Sequence, residues 1–163
     1  MEKIAKDNNK PNSTIPKYNK DNNKIESFTG KYSFLSMEYP CEFFMDAIKF
    51  KTVSAAYYAQ KSQDINAWNK FARLNPNKAR QKAAMLLDTD IWETYRFEYL
   101  YKANKAKFDS SQLLKDQLCE TKGKLLLNKV PYKEEYLGIF NGNGKNVLGK
   151  VLMKLRDEYL EKK

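Results

Sequence analysis

The chain has 163 residues, a hydrophobic fraction of 42% and a formal net charge of +10. This length supports one folded domain rather than two, and no apolar run approaches the ~18 residues needed to span a bilayer. Two cysteines and no histidine argue against a disulfide framework, a zinc site and a histidine-dependent nucleophile.

The positive charge is compatible with an anionic partner, either nucleic acid or a small molecule that carries phosphate. Lysine far outnumbers arginine, which occurs only at positions 73, 80, 96 and 156. This bias indicates a compositional preference rather than a built phosphate surface, because selective phosphate recognition favours arginine. The N-terminus lacks the apolar segment of a secretory signal, so we expect a cytoplasmic protein without a membrane partner.

The N-terminal region is rich in lysine, asparagine and aspartate and has little to bury. We therefore predict a disordered basic tail over residues 1–24 and one domain over residues 25–163. Aromatic residues and turns between positions 28 and 50 are typical of short strands. Alanines and tyrosines predict a helix over Thr52–Lys61, and a second helical pattern ends at Asn75-Pro76, where another helix begins.

The second half of the chain contains three further predicted helices. Asp90, with a glutamate three residues later, resembles a capping-box start, and Asp109 or Ser110 can cap the next helix. Residues 124–130 are predicted to form a strand, and Asn146 to cap a final amphipathic helix. The predicted fold is a mainly helical α+β domain with a small sheet.

The segment Gly142–Gly149 is the most informative candidate site. A glycine-rich loop that leads into a helix offers free backbone N–H groups and the positive end of the helix dipole, and both favour phosphate. Lys145 adds charge, whereas the Gly-Lys-Ser/Thr ending of a Walker loop is absent. The alternative is a tight turn with an asparagine cap, which the local sequence favours.

Two other patterns are compatible with a ligand site. Tyr57, Tyr58, Gln60 and Lys61 occupy one predicted helix, and Lys107 lies at the end of another. The alternative for the first pattern is an aromatic core face with a solvated lysine. For the second pattern, the alternative is a lysine that complements the helix dipole.

Four segments taken together resemble the NADAR family of YbiA-like N-glycosidases. They are Phe34–Cys41, which resembles the family's Phe-Leu-Ser-Asn-Phe-Tyr-Pro; Thr52–Lys61, which resembles Ser-Val-Glu-His-Ala-Tyr-Gln-Ala-Gln-Lys; Trp92, Arg96 and Lys107-Phe108 of the middle pattern; and Gly144–Arg156, which resembles Gly-x-Asn-x-Leu-Gly-x-x-Leu-Met-x-x-Arg. The resemblance covers residues 28–160 in the family's order.

The resemblance implies a single compact YbiA-like domain that hydrolyses a C–N glycosidic bond to ribose phosphate. The implied substrates are ADP-ribosyl adducts or early riboflavin-pathway intermediates, and no metal or redox cofactor is required. A carboxylate assists such a reaction by stabilising an oxocarbenium-like state or activating water. From the resemblance we predict that the pocket is lined by Tyr57, Gln60, Lys61, Lys107, Glu134, Gly144 and Asn146. Lys61, Lys107 and the helix start at Asn146 would hold the phosphate.

The sequence departs from the family pattern at the position of the catalytic carboxylate. The family's Glu-His pair is replaced by Ser54-Ala55, and a serine carries no negative charge at neutral pH. The family's Asp-x-x-Trp-Gly aligns with residues 134–138. Glu134 keeps an acidic residue at the position of the aspartate, and Leu137 replaces the tryptophan. We predict Glu134 as the remaining catalytic acid, with Glu38 or Glu135 as substitutes.

Three functions remain open at this stage. The first is a divergent hydrolase with reduced activity on ribose-phosphate N-glycosides. The second is a non-catalytic module that binds an ADP-ribose-like ligand without turnover. The third is a basic nucleic-acid-binding protein, whose affinity for duplex would weaken steeply with salt.

Overall fold

The computed structural model describes residues 23–163. The predicted disordered tail therefore lies outside the described residues, apart from positions 23 and 24. Lys24 pairs in parallel register with Leu125, so this residue belongs to the folded domain rather than to the tail.

Helices supply most of the regular structure in residues 23–163 and confirm the mainly helical α+β prediction. A 3-10 helix spans Gly30–Leu35. The α-helices are α1 (Val53–Ala59), α2 (Ile65–Phe71), α3 (Pro76–Ala84), α4 (Asp90–Asp109), α5 (Gln112–Cys119) and α6 (Val147–Glu161). None of these helices is both long and apolar enough to cross a bilayer.

The described strands form two small sheets. Strand β1 (Lys24–Ile25) pairs in parallel with β4 (Leu125–Leu126), and β2 (Phe43–Met45) pairs antiparallel with β3 (Ile48–Phe50). The strand predicted over residues 124–130 is shorter in the structure because β1 offers only two residues for pairing.

The core lies between α1, α4 and α6. Helix α1 contacts α2, α3 and α4, and α4 also contacts α6. Leu100 and Phe108 of α4 and Leu152 of α6 have no solvent exposure. Burial of each such side chain stabilises the fold by about 1.5–3 kcal/mol relative to exposure.

Two helix caps differ from their predicted residues. Thr89, not Asp90, caps α4, because its hydroxyl accepts a hydrogen bond from the Trp92 amide at 3.1 Å. Ser111 caps α5 through the Leu114 amide at 3.2 Å. A cap requires an extended backbone at its own position, whereas Ser110 is helical and ends α4.

Candidate functional site

Two adjoining cavities of about 200 and 210 Å3 form a groove over α1. Four residues line both cavities and form the wall that they share: Tyr58, Arg80, Glu134 and Leu137. The first cavity is completed by residues 27–29, 36–38 and 128–132 together with Ser54 and Leu148. The second cavity is completed by Tyr57, Lys61, Ala83, Ala84, Asp88, Trp92, Arg96 and Tyr136.

Ser54 lies in the wall of the first cavity. It occupies the first turn of α1, is 4% exposed, and its amide donates to the Met37 carbonyl at 2.9 Å. Thr52 caps the helix by accepting from the Ala55 amide at 3.1 Å, and this start directs the Ser54 side chain toward the cavity. The wall at this point therefore carries a hydroxyl rather than a carboxylate.

Tyr57, Tyr58 and Trp92 line the second cavity and form its aromatic wall. The Tyr57 ring lies 4.9 Å from the Tyr58 ring and 5.0 Å from the Trp92 ring, measured between centroids. Burial raises the pKa of both tyrosines, with smaller contributions from neighbouring charges, so both hydroxyls are protonated at neutral pH. Aromatic faces of this kind can stack against a planar base.

Two of the three cations that line the second cavity, Lys61 and Arg96, are already engaged by neighbouring side chains. The Lys61 ammonium lies 2.7 Å from an Asp88 carboxylate oxygen and donates to the Ala83 carbonyl at 3.0 Å. That hydrogen bond and the lysine's charge lower the pKa of Asp88. The Arg96 guanidinium stacks on the Tyr136 ring at 3.5 Å from its centroid. Lys61 thus lines the second cavity and is paired with Asp88 there, and its predicted role in holding phosphate stays a prediction.

Glu134 lies in the wall between the cavities. Its Oε2 accepts hydrogen bonds from the Tyr136 amide at 3.0 Å and the Leu137 amide at 2.9 Å. No described residue donates a hydrogen bond to Oε1. This arrangement fixes the carboxylate on its own loop and leaves one oxygen available to a ligand in either cavity.

Two predicted ligand residues lie in the core instead of lining the two cavities. The Gln60 amide donates to the Ala56 and Tyr99 carbonyls at 3.1 and 2.9 Å, which ties α1 to α4. Lys107 has no solvent exposure. We therefore correct both predictions, because the Gln60 amide and the Lys107 ammonium donate to backbone carbonyls and neither residue lines a cavity.

The predicted phosphate site at the start of α6 is also corrected. The amides of residues 145–148 donate to the carbonyls of residues 135–138 at 2.8–3.3 Å. The Asn146 side chain does not cap α6; it accepts from the Asn128 amide at 2.8 Å and donates to the Leu126 carbonyl at 2.9 Å. The donors that would bind phosphate are therefore already occupied by the protein.

Gly144 has a packing role at the same loop. A Cβ atom at this position would lie 2.1 Å from the Gly138 carbonyl oxygen, and its φ of +145° is one that other residues rarely adopt. The glycine permits close approach of two backbone segments. It does not line either cavity, so the predicted ligand contact is replaced by a structural one.

Arg80, Trp92 and Arg96 were not among the predicted pocket residues, although all three line the groove. A signal was available for the arginines. Arginine is scarce in this lysine-rich chain, and two of its four arginines line the cavities. A third, Arg156, is buried and donates to the Thr121 and Lys124 carbonyls.

Comparisons with known proteins agree with this architecture. The riboflavin biosynthesis protein PYRR, chloroplastic, of Arabidopsis thaliana is 37% identical over 89 residues, and that of Zea mays is 35% identical over 83 residues. These regions are 55% and 51% of this chain but only 14% and 13% of the plant proteins. The chain therefore corresponds to a small part of each relative.

A solved structure shows the same fold. The NMR structure of the E. coli protein YbiA superposes with a TM-score of 0.76 at 24% identity, covering 86% of this chain and 87% of that chain. The family model for the NADAR domain matches residues 18–160. Since this match runs through every segment that builds the two cavities, the chain belongs to the NADAR family.

Proposed function

We propose that this NADAR domain binds N-glycosides of ribose phosphate in the groove and hydrolyses them with reduced capacity. The observation that carries the proposal is the position of Glu134, whose carboxylate stands between the two cavities, one of them walled by Tyr57, Tyr58 and Trp92. The riboflavin-pathway names of the plant relatives support an aminopyrimidine riboside phosphate as one substrate. ADP-ribosyl adducts have the same bond and are the second class.

The chemistry follows from the properties of the C–N bond. Its cleavage places positive charge on the ribose ring, so a fixed carboxylate near that ring lowers the barrier. Glu134 is suited to this role because its two backbone hydrogen bonds hold the carboxylate in position. The base would then lie against the aromatic wall of the second cavity, with the ribose beside Glu134.

We propose a reduced rate of hydrolysis because of Ser54. Ser54 replaces the glutamate of the family pattern and lies in the wall of the first cavity, where it is 4% exposed. A serine hydroxyl cannot supply the charge of a carboxylate or accept a proton from water at neutral pH. General acid–base assistance is typically worth ~10²–10⁴ in rate. We therefore expect hydrolysis to be slower by a factor of this order than in a domain that has glutamate at this position.

A non-catalytic binding module is the second candidate, and the same serine favours it. A protein that sequesters an ADP-ribose-like ligand needs the aromatic wall and the cations but no general base. The two functions differ in turnover alone, so a ligand that is bound and recovered intact would identify the second.

The test is to restore the missing carboxylate. Ser54→Glu, alone and with Ala55→His, should raise release of the base from an aminouracil ribose phosphate or from ADP-ribosylated nucleic acid by about 10- to 100-fold or more. Ser54→Gln is the matched control, because it adds the same volume without the charge.

A second variant tests the remaining acid. Glu134→Gln should abolish the residual activity and also the activity gained by Ser54→Glu, while the fold is retained by near-UV circular dichroism. Vigorous turnover by the unmodified chain that survives Glu134→Gln would contradict the proposal. In that case Glu38, which also lines the first cavity, would be the next residue to change.

A further inference from the structure

Four cationic side chains line the two cavities, and three of them form ion pairs with carboxylates. These pairs are Lys61 with Asp88 at 2.7 Å, Arg96 with Glu93 at 3.3 Å, and Lys129 with Glu26. A cation that is already paired gains less from a ligand anion, since the new contact competes with the existing one. The fourth cation has no competing carboxylate of this kind, so it gains most from a ligand anion.

Arg80 is this fourth cation. It lies on α3, is half-buried, and its Nη2 donates to the neutral amide oxygen of Asn77 at 3.1 Å. Within residues 23–163, no carboxylate forms an ion pair with it, although Glu38 and Glu134 line the same cavity. The guanidinium thus keeps its full charge inside a concave site.

Two hydroxyl donors lie beside Arg80. Tyr58 and Tyr132 both line the first cavity with it. Burial raises the pKa of each tyrosine, whereas the positive charge of Arg80 lowers the pKa of both. No hydrogen bond to either hydroxyl is formed by the described residues. A guanidinium with two protonated hydroxyls nearby matches the acceptor oxygens of a phosphate.

We propose that Arg80 binds the phosphate group of the ligand, with Tyr58 and Tyr132 as supporting hydrogen-bond donors. The proposal rests on the proposed function and deepens it, because it makes Arg80 the residue that selects ribose phosphates over ribosides. It also moves the phosphate from the start of α6 to the shared wall of the cavities. There the phosphate lies in the first cavity with Arg80 and Tyr132, the ribose lies beside Glu134, and the base can extend toward Trp92.

The experiment compares a phosphorylated probe with its unphosphorylated form. Binding of ribose 5-phosphate, inorganic phosphate and ribose to the full chain is measured by titration, with chemical-shift changes at Tyr58 and Tyr132 as the local readout. Arg80→Gln should weaken ribose 5-phosphate binding by about 10- to 100-fold and leave ribose binding unchanged. Arg80→Lys should retain part of the preference, because it keeps the charge but loses the planar fork.

The matched control is Lys78→Gln, which removes one charge from the exposed side of the same helix. It should leave the affinity for ribose 5-phosphate unchanged. Thermal unfolding of Arg80→Gln and Arg80→Lys verifies that both variants are folded before their affinities are compared.

The outcomes separate the two proposals. Equal loss of affinity in Lys78→Gln and Arg80→Gln, an unchanged affinity in Arg80→Gln, or no binding of either phosphate probe by the unmodified chain overturns the role of Arg80. If phosphate binds through Arg80 but no aminouracil or ADP-ribosyl N-glycoside binds or is turned over, the role of Arg80 stands and the proposed function falls.

Discussion

The Lys107 side chain is held entirely inside the protein. Its ammonium lies 2.6 Å from the Phe34 carbonyl oxygen and 3.2 Å from the Ser36 carbonyl oxygen. Burial lowers the pKa of Lys107 from its ordinary value of 10.5 to about 7, while the nearby Cys41 acts in the opposite direction. Because Ser36 lines the first cavity, this lysine fixes part of the cavity wall from behind.

The lowered pKa predicts a pH dependence of stability. Between about pH 7 and pH 10.5, Lys107 holds a proton in the unfolded chain but not in the folded one. The unfolded state therefore binds more protons, and the free energy of unfolding rises with pH across this window. The rise from this group should be on the order of 2 kcal/mol between pH 7 and pH 9.

Chemical denaturation at both pH values measures this effect. Lys107→Met should lower stability at every pH, since two backbone carbonyls lose their donor, and should also remove the rise. Lys150→Met is the control, because Lys150 is exposed on α6 and should preserve the rise. An identical pH slope in the unmodified chain and Lys107→Met would show that Lys107 titrates normally.

At the residue level, local sequence patterns identified polar side chains as ligand residues but could not predict the groups to which these side chains are hydrogen-bonded. Lys107, Gln60 and Asn146 were predicted as ligand residues from their own segments, whereas each is bound to backbone that lies far along the chain or on another element. Glu134 and Lys61 were selected by the family pattern and do line the groove. Arg80 belongs to none of the quoted motifs, so only the three-dimensional arrangement shows that it lines both cavities.

The loop before α6 is the element on which the groove depends. Carbonyls of residues 135–138 accept the amides of residues 145–148, which lead into α6, and the same loop presents Glu134 and Leu137 to the cavities. Gly144 allows this contact, because any Cβ there would collide with the Gly138 carbonyl oxygen.

Substitution of the loop glycines tests this dependence. Gly144→Ala should destabilise the fold by several kcal/mol, on the order of 2–4, since it adds a backbone clash to a strained φ. Gly142→Ala is the matched control: its φ is +80° and the added Cβ meets open space, so the cost should be about 1 kcal/mol. Thermal unfolding measures the stability of both variants. An equal loss of stability in the two would exclude close packing as the reason for a glycine at position 144.

At the element level, periodicity predicted the helices because their apolar faces and breakers are local in sequence. The break at Asn75-Pro76 coincides with the start of α3, where Pro76 is the first helical residue. The strands were harder to predict, since their extent is fixed by a partner elsewhere in the chain. Residues 124–130 have the composition of a strand, yet only Leu125–Leu126 find a partner, in β1.

For the whole molecule, the net charge of +10 keeps nucleic acid as a competing ligand. Salt distinguishes the two kinds of binding. A protein that contacts 6–10 phosphates of a duplex loses ~10³–10⁵ in affinity between 50 and 200 mM salt. A single phosphate held by Arg80 inside a cavity should lose less than about tenfold over the same range.

We therefore expect ADP-ribose binding to persist at 200 mM salt and duplex DNA binding to disappear. Fluorescence anisotropy with labelled DNA and calorimetry with ADP-ribose provide the measurement. DNA binding that is tight at 50 mM salt and falls by ~10³–10⁵ at 200 mM salt, without any ADP-ribose binding, would favour the basic nucleic-acid-binding protein instead.

The pairing of β1 with β4 has a consequence for the order in which the protein folds. Lys24 meets Leu125 only after about a hundred intervening residues have been brought into a loop, and closing such a loop costs more chain entropy than forming neighbouring helices. The first cavity takes residues 27–29 from one end of this loop and residues 128–132 from the other. The groove is thus expected to assemble late, after α1–α3 have packed, so that a folding intermediate with formed helices has no binding site.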